Sequence, residues 1–195
     1  YQENLECSPC WKKKCPYDLE CIKNLDLNRI INEVDKYFDE FDKVKIQERA
    51  NVFEKAQKIN RPLILDGAMG SILQEKRLTS NKRVWSAKAN DDSQSEVLTL
   101  HKDYLRAGAD IITTNTFRTN PYSLISSGVT DITGSVSKAV EIAKRARGKS
   151  AILIAGSNPP VEDCYQVERT ISQKDLEWNH KVHIDALMES GCDFI

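Results

Sequence analysis

Apolar positions recur at two different spacings along this chain, and the change falls near residue 60. Before it, Leu27, Ile30, Ile31, Val34, Tyr37, Phe38 and Phe41 follow an i, i+3, i+4, i+7 stripe, which predicts one amphipathic helix capped by Asp26. Ile46, Ala50, Phe53 and Ala56 continue at helical spacing and predict a second helix over about 44–59, ended by Asn60 and Pro62. After Pro62 the apolar residues gather into short β-rich runs, Leu63 to Leu65, Ile111 to Ile112, Ala151 to Ile154 and Phe194 to Ile195. Helical patterns separate these runs. One follows Ser93-x-x-Glu96, the spacing of a capping box, and carries Val97, Leu98, His101, Tyr104 and Leu105 on one face before Gly108 stops it. Others run over about 135–147 before Gly148 and about 172–190 before Gly191. Strands that alternate with helices in this way predict a parallel sheet with crossover helices.

The alternation repeats itself in detail. The segment from Leu105 to Ile112, with Gly108, Ala109 and Asp110 in its middle, matches Met188 to Ile195, with Gly191, Cys192 and Asp193. Each reads as a helix end, a glycine stop, a small residue, an aspartate and a strand start. Strand starts about 40 to 47 residues apart would need on the order of 330 residues to close a (β/α)8 barrel. Repeated units of this type suggest a barrel or a doubly wound sheet; the expected fold class is α/β, the N-terminal part of a (β/α)8 TIM barrel, which would then hold three complete units and the opening of a fourth.

Composition adds a seam and removes some functions. The 195 residues carry 28 Lys+Arg against 29 Asp+Glu, a net charge of −1, without the clustered positive excess that nucleic-acid binding requires. The longest apolar stretches fall far short of the roughly 20 residues that span a bilayer. The expected compartment is the cytoplasm. All eight glycines lie after Asp66, whereas Cys7, Cys10, Cys15 and Cys21, four of the six cysteines, lie near the start. The C-x2-C-x4-C-x5-C spacing suits zinc or disulfides, and spacing alone does not choose between them. Three segments result: a Cys-rich segment with an amphipathic helix over 1–42, a connecting helix over 43–60, and the truncated barrel over 61–195. Tyr1 in place of Met and an apolar run closing at Ile195 lead to the expectation of a piece of a longer protein.

In a barrel the chemistry collects where strands end at their C-terminal edge. That rule selects Asp66-Gly67-Ala68-Met69-Gly70, Thr113-Thr114-Asn115-Thr116-Phe117 and Ala155-Gly156-Ser157-Asn158-Pro159-Pro160. Asp66 suits a substrate ammonium, and equally a turn or helix cap. Gly67 and Gly70 let backbone approach closely, and Asn115 suits a carboxylate or amide.

Two stretches of the chain resemble known families. The run from Cys7 to Ile22 and its following helix resemble the C-terminal end of bacterial heptosyltransferases, which implies a fused glycosyltransferase module without a nucleotide-sugar site of its own. From about residue 61 to 195 the chain resembles the homocysteine S-methyltransferase family, through Leu65 to Gly70, Trp85 to Lys88, His101 to Phe117 and Ile154 to Ser157, in order and at matching gaps. This second resemblance implies a zinc enzyme on a (β/α)8 barrel that methylates the thiol of homocysteine to give methionine. It further implies that Asp66 and Gly67 help to bind homocysteine, that Asn115 and Thr116 line the mouth nearby, and that the zinc ligands are cysteines beyond Ile195. The catalytic residues stay unassigned. Ser157-Asn158-Pro159-Pro160 stands where many members have a Gly-Pro turn, which leaves the methyl donor open among S-methylmethionine, S-adenosylmethionine, betaine and a folate.

Other candidates carry bland readings. Cys164 and Cys192 lack ligand spacing, so the barrel part is expected to hold no metal, with Cys7, Cys10, Cys15 and Cys21 as the alternative zinc site. Glu177, His180 and His183 share a helix face that is expected to be partly exposed. Lys144, Arg145, Arg147 and Lys149 suit the dipole at a helix end better than a nucleic-acid surface, and Trp85 and Trp178 lack an interleaved basic pattern. A fragment of a methyltransferase, inactive alone, is the leading expectation. A half-barrel that binds small molecules or serves as a scaffold without catalysis is the alternative.

Overall fold

In a computed structural model, the structure describes residues 61–80 and 83–195 together with Asn28, Glu54 and Lys58. The four N-terminal cysteines and most of the helices expected over 27–41 and 44–59 lie outside the described residues. The chain divides into two units, Tyr1–Arg49 and Ala50–Ile195, and the second carries the sheet.

The α/β expectation holds. Strand β1, Ile111–Thr113, pairs in parallel with β2, Leu153–Ala155, with Ile111 opposite Leu153, Ile112 opposite Ile154 and Thr113 opposite Ala155. Single parallel bridges extend the sheet on both sides, Leu65 to Ile111 and Ala155 to Phe194. Four successive parallel segments thus lie side by side in sequence order. Between them run α1 (Met69–Glu75), a 3-10 turn (Trp85–Lys88), α2 (Ala89–Asp92) and α3 (Gln94–Arg106) in the first crossover. The second crossover holds α4 (Pro121–Ile125) and α5 (Ile132–Arg147), and the third holds α6 (Gln173–Glu189).

Both faces of the sheet are apolar, as a covered parallel sheet requires. Side chains alternate across a strand, so Ile112 and Ile154 turn to one face and pack with Val136, Val140 and Ala143 of α5, Ala186 and Leu187 of α6, and Cys192. Ile111, Leu153 and Ala155 turn to the other face, joined by Leu63 and Phe194. A further cluster seats α3 through Val97 and Leu100 against Met69, Leu73, Ala89 and Ile142.

Three helix starts show how local chemistry sets the boundaries. Asn120 Oδ1 accepts from Ser123 N at 3.0 Å with Pro121 at the first helical position. Asp131 Oδ1 accepts from Gly134 N at 2.8 Å, which starts α5 at Ile132, about a turn before the expected 135. Ser172 Oγ accepts from Asp175 N at 3.1 Å, close to the predicted start. The expected capping box does not form. Ser93 makes no side-chain cap bond, and Glu96 accepts from Lys76 Nζ at 2.9 Å instead. The buried stripe of α3 is Val97, Leu100 and His101, rotated from the expected face so that Leu98, Tyr104 and Leu105 are only half-buried.

The sequence echo is a structural device. Gly108 and Gly191 both take positive φ, 99° and 87°, and end their helices in the same way. Asp110 N donates to Ile64 O at 2.8 Å and Asp110 Oδ2 accepts from Ile64 N at 2.9 Å. Asp193 N likewise donates to Ile154 O at 2.9 Å, and Asp193 Oδ2 accepts from Ile154 N at 2.7 Å. Each aspartate also holds an arginine, Arg61 for Asp110 at 2.6 Å and Arg147 for Asp193 at 3.0 Å. Arg147, expected only to complement the helix dipole, is therefore half of an ion pair that clasps one strand to the next.

Candidate functional site

Parallel strands in one sheet end on the same side, so Asp66, Asn115 and Ser157 all fall on the C-terminal edge. Asp66 continues the first segment: its N–H donates to Ile111 O at 3.0 Å. Its carboxylate turns to the neighbouring strand, where Oδ2 accepts from Thr113 N and Oδ1 from Thr113 Oγ1, both at 2.8 Å. Burial pushes the Asp66 carboxyl above its ordinary range, and the Thr113 bonds pull the other way without cancelling it. Each carboxylate oxygen has two lone pairs, so one on each remains for a further donor.

Beside it, Gly67 leaves room for Tyr104. A Cβ at that position would lie 2.9 Å from Tyr104 Oη, which donates to Ala68 O at 3.1 Å. Gly70 does the same for Trp85, whose ring atom Cη2 would come within 2.3 Å of an added Cβ. Trp85 donates Nε1–H to Gln74 Oε1 at 3.0 Å and meets Phe117 edge-on at 6.1 Å. Its φ of 36° is left-handed, a strained position for a bulky residue. Packing from Gly70 and Phe117 holds it there.

Asn115 and Thr116 are buried and bonded inside the loops. Asn115 Nδ2 donates to Ser86 O at 2.8 Å and Asn90 Oδ1 at 2.9 Å, while Asn90 Nδ2 donates to Asn115 O at 2.9 Å. Thr116 Oγ1 donates to Ser157 O at 2.8 Å and lies 2.8 Å from Thr114 Oγ1. The structure therefore brings Asp66 and Gly67 together at the edge and places Asn115 and Thr116 behind it, where they tie the three loops to one another.

A second polar chain is only half-visible in the sequence. His183 is fully buried, not on a partly exposed face as expected. Its Nε2 lies 2.9 Å from Thr119 Oγ1 and its Nδ1 3.0 Å from Asn158 Oδ1, and His180 Nδ1 lies 3.3 Å from Asn158 Nδ2. Burial, with the neighbouring charge of His180, lowers His183 to about 4. The i, i+3 spacing of the two histidines is legible; the partner is not, because Asn158 sits 22 residues before His180 across a loop.

The described residues do not suit zinc. Cys164 is exposed in the loop after β2, and Cys192 is buried among the apolar residues under the sheet. Among the described residues no three His, Cys, Asp or Glu side chains converge as a metal site would require. The donor set does not fit, and no chemical step is assigned to zinc on them. Among the described residues no helix is long and apolar enough to cross a membrane.

Successive parallel β/α units with polar side chains gathered at the strands' C-terminal edge define an α/β protein built on a parallel sheet. The sequence model of the homocysteine S-methyltransferase family matches residues 63–195, and the chain belongs to that family. It is 26% identical over 149 residues to a homocysteine S-methyltransferase of Escherichia coli (strain K12), and 26% identical over 152 residues to the homocysteine S-methyltransferase YbgG of Bacillus subtilis (strain 168). Each alignment covers 68% of this chain and 48% of the relative, so the chain spans about half the length of the curated relatives it matches. The metallated form of the homocysteine methyltransferase MmuM from Escherichia coli superposes with a TM-score of 0.61 at 26% identity, over 70% of this chain and 54% of that one. The oxidised form gives 0.59 over 69% and 52%.

Proposed function

We propose that this chain supplies the substrate-binding part of an S-methyltransferase that converts homocysteine to methionine. In that reaction the thiol loses its proton, the sulfur forms a bond to a methyl carbon, and the bond between that carbon and its donor breaks. Asp66 accepts hydrogen bonds from the homocysteine ammonium through its remaining lone pairs. Gly67, with no side chain, leaves Tyr104 room to stand against Ala68 and wall the place where the amino-acid group lies. Asn115 and Thr116 hold the second and third loops in place around it. The metal seen in one solved relative supports a metal in the complete enzyme, and the described residues form the amino-acid end of the site.

The observation that carries this reading is the Asp66 carboxylate, held by Thr113 at the edge of the strands inside the segment that matches the family. Calorimetry with L-homocysteine and its deamino analogue 4-mercaptobutyrate tests it. The chain should bind homocysteine about tenfold more tightly, as a charge-assisted hydrogen bond of about 1.5 kcal/mol predicts. Asp66→Asn, which keeps an oxygen acceptor toward Thr113, should erase the preference. Equal binding of the two ligands by the unaltered chain would sink the assignment.

A further inference from the structure

We propose that the hydroxyl of Ser157 donates to the carboxylate of the bound amino acid, a contact that presupposes Asp66 as the site of its ammonium. The two residues together then select a zwitterion by both of its charges.

The sheet fixes which way Ser157 faces. Thr113 pairs with Ala155, and Gly156 continues β2 by donating its N–H to Phe194 O at 2.7 Å. Ile111, Leu153 and Ala155 form one apolar face, whereas a Cβ on Gly156 would meet Cys192 Sγ and Leu187 at 3.2 Å on the opposite face. Side chains alternate along a strand, so Thr113 and Ser157 share the face of Ala155. Thr113 is the residue that holds the Asp66 carboxylate, through N and Oγ1 at 2.8 Å each. Ser157 stands two residues beyond the strand partner of Thr113, about 6.6 Å along the strand and about 4.8 Å across, or about 8 Å in all. An α-amino acid with a hydrogen bond of about 2.8 Å at each end covers about 8–9 Å from the acceptor of its ammonium to the donor of its carboxylate. Ala155, opposite Thr113, presents only a methyl group beneath that span.

The hydroxyl is open while the backbone around it is tied. Ser157 N donates to Thr114 Oγ1 and Thr116 Oγ1 at 3.2 Å each, and Ser157 O accepts from Thr116 Oγ1 at 2.8 Å. On its other side, Asn158 Oδ1 lies 3.0 Å from Nδ1 of the fully buried His183. Ser157 Oγ makes no hydrogen bond among the described residues, and it keeps surface that solvent reaches on a half-buried residue. A hydroxyl carries one donor, so a carboxylate gains a bond there without breaking another. A backbone already ordered loses little further freedom when the ligand arrives.

Calorimetry on the full 195-residue chain tests this with L-homocysteine, 3-aminopropane-1-thiol, which lacks only the carboxylate, 4-mercaptobutyrate, which lacks only the ammonium, and 4-mercaptobutyramide, which carries neither charge. The unaltered chain should bind homocysteine about tenfold more tightly than the aminothiol, as one hydrogen bond to a charged group predicts. Ser157→Ala should erase that preference, keep the preference for homocysteine over 4-mercaptobutyrate, and leave the urea midpoint where it was, because the hydroxyl supports nothing in the fold. Ser157→Thr, which keeps a hydroxyl, should retain most of the carboxylate preference. Asp66→Asn should do the reverse of Ser157→Ala, losing the ammonium preference and still favouring 4-mercaptobutyrate over its amide. The carboxylate preference is thus read in a chain without the Asp66 charge, and either contact can fail while the other stands. No preference for the carboxylate ligands in the unaltered chain, or a preference that survives Ser157→Ala, would overturn the proposal.

Discussion

His101 shows at the scale of one residue how much a sequence pattern conveys and where it stops. Its place on the apolar face of α3 is readable from spacing, and it is fully buried there. What spacing does not convey is that neither ring nitrogen finds a partner, since partners depend on which loops pack above. Burial alone lowers this histidine to about 4. Replacing an unsatisfied buried polar group by an apolar one of similar size is neutral to favourable, so His101→Leu should raise stability at pH 7 by about 1 kcal/mol, read as a higher urea midpoint with unchanged slope. Asn115 teaches the converse. Its position after a strand is legible, but its amide is spent on Ser86 and Asn90, and those partners come from a 3-10 turn and a short helix that have too little periodicity to be read from sequence.

Elements are legible where they repeat and illegible where they are short. The four β-rich runs, two of them as single bridges, and α3, α5 and α6 appear near where spacing places them, α5 starting about a turn early, whereas α1, α2 and α4 have seven, four and five residues and are held by packing more than by pattern. Gly70 illustrates that packing. Gly70→Ala in α1 would push a methyl into the Trp85 ring and should cost about 1–3 kcal/mol, with a change in Trp85 fluorescence as the indole leaves Gln74. The clasp made by Asp193 gives a graded case. Asp193→Asn keeps an acceptor for Ile154 N and loses the charge toward Arg147, and should cost about 1 kcal/mol; Asp193→Ala loses both, and should cost about 2 kcal/mol or more. Hydrogen exchange at the Ile154 amide should accelerate in the alanine variant and much less in the asparagine variant.

The described unit as a whole should be sensitive to acid. His101 and His183 lie near 4 when folded and near 6.5 when unfolded. Between those values the unfolded chain binds more protons, so stability is full above about pH 6.5 and declines as the pH falls toward 4. Each histidine contributes on the order of 3 kcal/mol at the acid limit. Thermal midpoints measured from pH 7.5 to 4 should fall, and His101→Leu should remove about half of the decline. A flat profile across that window would contradict the burial of both side chains. The alternation of strand and helix and the family are legible from the ordered motifs alone, since strand ends carry chemistry in a fixed order along the chain. The polar chain through His183 is not, because it joins Thr119 to a residue 64 positions later.

The paired aspartates have a meaning in the order of synthesis. A chain leaves the ribosome N-terminus first, so the segment at Ile64 is made long before Asp110, which clasps it, and Ile154 before Asp193. The first and third segments of this series are not fastened in this way when they appear; each waits for its successor to arrive with the aspartate. At those two places assembly runs one strand behind synthesis, the clasp closing only once the following strand has been made.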